Sequence, residues 1–201
     1  MGWSYGEDRE IFELSDMIEV FDLKKISLGG PVFDLVKLTW LNQHYMHRMD
    51  DHAFVDYIRN EIFNPEYLLK MKPLVLERMT RFEQFVDKNS FFFNGALDYH
   101  GVEVIPSSKD SESMRVMLTE LLDLFDGIDD WNTKTIHDVL NIHREKIAWK
   151  PKDYFMTVRM ITTGRKDSPP LAETLEVLGR EIVRFRVKDV LDHGLQQVKK
   201  S

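Results

Sequence analysis

The chain contains no cysteine, which removes disulfides and thiolate zinc sites from consideration and leaves no sign of secretion. Long apolar runs are missing too. Nothing approaches the roughly 20 residues that a bilayer-spanning helix requires, and the charged opening GEDREIFE lacks the apolar centre of a signal peptide. The expectation is a cytoplasmic protein with no membrane partner. Also absent are a GxxxxGK[ST] loop for nucleotide phosphates and a GxSxG elbow for a serine nucleophile. Basic residues are outnumbered, 27 against 34, for a formal charge of −7, which at first argues against a polyanionic partner. The shortage is uneven. Residues 1–131 hold 13 basic and 25 acidic side chains, whereas residues 132–201 hold 14 and 9. A local RNA-facing surface and ordinary solvated helix faces both remain open readings of that asymmetry.

What the chain does have is helical period. With 43% hydrophobic and 30% charged residues it has the composition of a folded protein, and 201 residues leave room for one to three small domains. Apolar spacing is three or four almost throughout, which predicts an all-α fold of several helical bundles. Ser15 reads as the cap of a short helix with Met17, Ile18 and Phe21 on one face. After the break at Gly29-Gly30-Pro31, Asp34 caps a helix whose stripe is Leu35, Leu38, Leu41, Tyr45 and Met46, with Trp40 in its core. A further helix through Phe54 and Ile62 ends at Asn64-Pro65, a fresh cap and restart. Pro73 either kinks one helix or separates two, and the helical period continues from Leu74 to the triplet Phe91-Phe92-Phe93. Tyr99 to Ile105 is the one strip whose alternation suits a short extended edge.

Beyond it, a helix through Met114, Leu118, Leu121 and Phe125 stops at Gly127, and further helices are predicted around Ile136 to Ile147, Tyr154 to Ile161, Leu171 to Leu178 and Arg180 towards His193. Gly164 and Gly179 stand at C-terminal caps, and Ser168-Pro169-Pro170 starts a helix with proline in its first turn. His44, His47, Asp50, Asp51 and His52 carry metal-ligating side chains, but their spacing also suits a solvated helix end, and no metal is expected.

Three stretches carry a resemblance: GWSYGEDREIF at 2–12 with ISLGGPVFDLVKLTWLNQHY at 26–45, RMTRFEQFVDKNSFFF at 78–93, and RMITTGRKDSPPLAETLEVLGRE at 159–181. Together they make nearly the whole chain similar to bacterial glutamyl-tRNA synthetases, in the part following the ATP-binding KMSKS loop. Arg81 and Phe82 stand where that family usually has Thr and Leu, and Ala172 where it usually has Phe. Lys24-Lys25-Ile26-Ser27 mimics KMSKS but lacks its second lysine, and no HIGH-type motif occurs. The resemblance therefore implies a chain without the catalytic Rossmann domain, inactive in isolation and needing no cofactor of its own, although ATP and Mg serve the full-length family enzyme.

By the same resemblance the chain divides into a stem-contact region at 1–63 and two helical anticodon-binding subdomains at 64–130 and 131–201. Its implied partners are tRNA and a synthetase catalytic domain in cis or in trans, not DNA. Arg78 matches the arginine that reads the third anticodon base, a cytosine in glutamate tRNA, and Arg159 matches a second arginine of the anticodon pocket. Ser168, Pro169, Pro170 and Leu171 match the segment that packs against the first two anticodon bases. Lys24, Lys25, Lys152, Arg165 and Lys166 are candidates for tRNA backbone phosphates, from charge and position. Read without the resemblance, these residues are structural: Arg78 is a solvated helix residue or an ion-pair partner of Glu77 or Asp87, and the two prolines simply start a helix. Two other functions stay open: a stand-alone helical protein-interaction module, and a subunit that pairs with a separately encoded catalytic half.

Overall fold

The computed structural model describes residues 3–6, 9–26, 29, 34–99 and 104–194. Among them every regular element is helical, so the fold is all-α as the apolar period predicts. Two compact units emerge, Met1–Tyr57 and Ile58–Ser201. No described helix is long and apolar enough to cross a membrane. Most of the break at Gly29-Gly30-Pro31, and residues 100–103 of the extended strip, lie outside the described residues; Tyr99, Val104 and Ile105 form no strand.

The first unit holds α1 (Leu14–Val20), α2 (Leu35–Arg48) and α3 (Asp51–Tyr57). Helix α1 is capped by Glu13, whose capping box closes with Asp16, so Ser15 lies inside the helix rather than at its cap. Asp34 caps α2 as its position implies, accepting from the amides of Val36 at 2.9 Å and Lys37 at 3.0 Å. The expected buried stripe of α2 does not form. Leu35 is 68% exposed, Leu38, Tyr45 and Met46 are exposed with it, and Leu41 alone of the five is half-buried. Trp40, expected in a core, is 45% exposed. Periodicity marks which side chains share a face; it does not supply the element that covers the face, and no described residue of this unit reaches full burial. What holds the unit's first residues together is an aromatic group: Trp3 meets Phe12 and Phe21 at 5.8 Å each, and the Arg9 guanidinium lies over the Tyr5 ring at 4.5 Å.

The second unit begins with a π-helical turn (Ile58–Ile62) and α4 (Pro65–Leu76), started by Asn64, which accepts from the amides of Glu66 at 2.9 Å and Tyr67 at 3.2 Å. Pro73 sits within α4, which runs on past it as one helix. The segment 74–93 is not the continuous helix that its period predicts. Helix α4 ends at Leu76, and the chain then passes through a short 3-10 turn (Phe82–Gln84), α5 (Phe85–Asn89) and a second 3-10 turn (Ser90–Phe92). Side chains compete here with the helical ladder: Gln84 Oε1 accepts from the Thr80 amide at 3.0 Å, and Lys88 Nζ donates to the Arg78 carbonyl at 2.6 Å.

Helices α6 (Ser111–Asp126), α7 (Thr133–Lys146), α8 (Pro151–Thr163), α9 (Leu171–Leu178) and α10 (Arg180–Asp189) complete the bundle. One core runs through it, from Met71 and Phe91 through Leu118, Leu140 and Ile161 to Val187. At its centre lies a charge. Arg186 is wholly buried on α10, in register with buried Val183, Val187 and Val190. Its guanidinium donates to the carbonyls of Phe91 at 2.6 Å and Gly95 at 3.1 Å, and also to those of Asn94 and Thr162. Burial pushes its pKa down to about 10, opposed by Tyr99 and Tyr67. A second buried polar group joins α7 to α8: the His143 Nδ1 lies 2.8 Å from the Tyr154 hydroxyl, while Nε2 faces Glu120 at 3.4 Å, which Lys146 holds at 2.9 Å. Burial lowers the His143 pKa against the opposing pull of Glu120.

Two stability predictions follow from these groups. Arg186→Met leaves four carbonyls without their donor and is expected to cost on the order of 3 kcal/mol in urea denaturation; an unchanged midpoint would contradict the clamp. For His143 the folded state resists a proton that the unfolded chain accepts near the ordinary value of 6.5. Stability is therefore unaffected by this group at pH 7.5 and falls as pH drops below that value. The melting temperature is expected to decline between pH 7 and 5.5, and His143→Phe to flatten the decline whatever its baseline.

Candidate nucleic-acid interface

Helix α8 is built to deliver Arg159. Pro151 opens it at the first helical position, where no amide is lost, and Gly164 closes it with φ of +68°, a left-handed cap that a side chain would strain. The chain then turns back through 165–170 into α9. Arg159, one turn before the end of α8, meets that returning segment. Its Nη1 donates to the Ser168 carbonyl at 2.8 Å, to the Pro169 carbonyl at 2.7 Å and to the Ser168 hydroxyl. Ser168, Pro169 and Leu171 are buried, and Pro170 is exposed. Pro170 is itself the residue before the helix, so both prolines precede α9 instead of occupying its first turn, and no side chain caps the helix.

Arg78 reaches the same segment from the turn after α4. Its Nη2 pairs with Asp167, and the arginine is 33% exposed while the carboxylate is 89% exposed. Arg78 and Arg159 are therefore neighbours across the 167–170 segment, close enough to act on each other: burial first, and then the positive charge of Arg78, hold the Arg159 guanidinium below its ordinary pKa. Two guanidiniums near one another, one anchored on carbonyls and one half-open with a solvated partner, form a site suited to a ligand that offers hydrogen-bond acceptors.

The other candidates fall into distinct places. Arg165 is engaged internally, donating to the Asp87 carbonyl and to the Ser90 hydroxyl at 3.2 Å, which ties the 165–170 segment to α5. Lys152 and Lys166 stand exposed at the rim of a cleft of 190 Å³ lined also by Ile105, Ser107, Met156 and Met160. Lys24 and Lys25 lie exposed on a short 3-10 turn (Leu23–Lys25) of the first unit, where Asp22 accepts from the Lys24 amide. In the His-Asp cluster, Asp50 caps α3 by accepting from the amides of His52 and Ala53 at 3.0 Å each, and His44 meets Arg48 at 2.8 Å. No group of three metal-ligating side chains forms among the described residues.

Sequence reasoning missed Asp167 and Arg186. For Asp167 there was no local signal, since its partner is far away in the chain. For Arg186 there was one: an arginine in step with the valines of an otherwise apolar face.

Similarity to known proteins covers most of the chain. The glutamate–tRNA ligase of Stutzerimonas stutzeri (strain A1501) is 32% identical over 192 residues, covering 96% of this chain and 39% of that protein. The glutamate–tRNA ligase of Ectopseudomonas mendocina (strain ymp) matches to the same extent, 32% over 192 residues. A crystal structure of a glutamate tRNA ligase from Elizabethkingia meningosepticum in complex with its amino acid superposes with a TM-score of 0.56 at 23% identity, over 96% of this chain and 39% of that one, a likeness that bears on the fold alone. The chain thus spans 39% of the length of the curated relatives it matches. The family described as anticodon binding domain matches residues 40–191, three quarters of the chain, and the chain belongs to that family.

Proposed function

We propose that this chain recognises tRNA, gripping the unpaired bases of the glutamate anticodon loop, and serves glutamyl-tRNA formation as the RNA-binding part of a glutamate–tRNA ligase. The observation that carries the reading is the convergence of Arg78 and Arg159 on one short segment, 167–170. Loop bases are splayed and offer their Watson-Crick edges, which a paired A-form stem does not. In this reading Arg78, half-open beside Asp167, reads the cytosine at the third anticodon position. Arg159 shapes the pocket floor through Ser168 and Pro169, and the uncapped amides at the start of α9 face acceptors of the first two bases. Lys152 and Lys166 supply phosphate attraction, Arg165 holds the segment in place, and Lys24 and Lys25 add diffuse contacts from the first unit. Neither alternative, the interaction module or the subunit acting in trans, draws support from these contacts.

Titration of the protein with glutamate tRNA and with third-position anticodon variants, at two salt concentrations, tests this. Arg78→Ala is expected to weaken binding by about 1–3 kcal/mol and to abolish the preference for the correct third base. Lys152→Ala is expected to weaken all the RNAs alike and to reduce the salt dependence by about 0.7 in slope for one lost single-strand contact. Unchanged affinity and preference in Arg78→Ala would remove that residue from base reading.

A further inference from the structure

Among the large apolar side chains described, Phe82 is the most exposed, at 84%, and Val86, four residues on, is 62% exposed. Single exposed apolar residues are ordinary on protein surfaces. Phe82 differs in what lies beneath it. The backbone that carries it is pinned at several points: Lys88 holds the Arg78 carbonyl at 2.6 Å, Gln84 holds the Thr80 amide at 3.0 Å, and Arg165 holds the Asp87 carbonyl. On the inner side Phe85 packs against Phe93 with ring centroids 6.0 Å apart, and Asn89 is buried, bonded to the Phe85 carbonyl at 2.9 Å. A rigid turn thus presents a flat ring to solvent four residues from Arg78.

We propose that Phe82 is a stacking platform for an unpaired RNA base adjoining those gripped at Arg78, with Arg81 beside it as a flanking cation. The inference rests on the function proposed above. Charge and size choose the occupant. Glu77, Glu83 and Asp87 balance Arg78, Arg81 and Lys88, so this turn does not draw a phosphate backbone by net charge. Phe82 and Val86 are flanked in the chain by the charged Arg81, Glu83 and Asp87, whereas a protein partner needs a contiguous apolar surface. A base needs neither, because stacking on an aromatic face requires only the exposed ring and tolerates any base. The pinned backbone means that little ordering cost opposes the contact.

The test uses two RNAs, the glutamate anticodon stem-loop and a fully paired duplex of the same stem without loop bases. Phe82→Ala is expected to weaken stem-loop binding roughly five- to hundredfold, with the salt slope unchanged and the melting temperature within error of wild type. Phe82→Trp should keep or improve affinity, whereas Phe82→Leu, apolar but without a π-face, should fall with alanine. Stem-loop binding unaffected by Phe82→Ala, or restored in full by Phe82→Leu, would overturn the platform while leaving the arginine site intact. Failure of the wild-type protein to prefer stem-loop over duplex would overturn both readings together.

Discussion

A guanidinium with no carboxylate partner among the described residues, at the centre of an apolar core, is the constraint on which the second unit depends. The hydrogen bonds of Arg186 among the described residues go to backbone carbonyls in two separate places: the 91–95 stretch at the phenylalanine triplet and the last turn of α8 at Thr162. Carbonyls at the ends of short helices have no intrahelical donor, and burying them without one is costly. Arg186 supplies a fork of five donors to two such ends at once. Its charge is spread over several carbonyl dipoles, which is how it survives burial without an anion, at the expense of a depressed pKa. Tyr67 and Tyr99 complete the arrangement, donating to the carbonyls of Phe92 at 3.0 Å and Ile161 at 2.6 Å.

The candidate interface is the solvent-side continuation of that clamp. Thr162, which Arg186 holds, is two residues from the Gly164 cap where the chain turns towards Arg165, Asp167 and Ser168. Arg165 ties this turn to α5, and Arg159 ties its far side to α8. Three arginines thus order the segment, Arg186 wholly buried and Arg165 and Arg159 half-buried, and Arg78, half-buried too, meets it with an exposed carboxylate as its partner. An ion pair that open to water contributes little to stability. That makes Arg78 the member of the series most free to exchange its partner for a ligand, while Arg159 and Arg165 hold the segment that carries that partner.

Local chemistry was legible at most helix ends decided within one turn, but not at α1, which Glu13 caps in place of Ser15, nor at α9, which Pro169 and Pro170 precede. Asp34 and Asn64 cap the helices that their positions announce, Gly127 and Gly164 end theirs, and the helices of 111–189 fall where the apolar period puts them. Two expectations failed for reasons beyond local period. The stripe of α2, with Trp40, stays exposed because periodicity describes one face and not its cover. The helix expected through 74–93 breaks because Gln84 and Lys88 give backbone groups alternatives to the helical ladder.

The residues alone determined that the chain is helical, where most helices begin and end, and, through three matching stretches, which arginines to watch. Those features are set by interactions between near neighbours and by side-chain type. Which arginine is buried, which is anchored and which is half-open was decided only by tertiary structure. Arg186 finds its acceptors 91 to 95 residues away in the Phe91 to Gly95 segment, and Arg78 meets Asp167 only because α8 and the turn after α4 are brought together by packing. A guanidinium reads the same in any sequence; its role follows from the dielectric and the partners that the fold places around it.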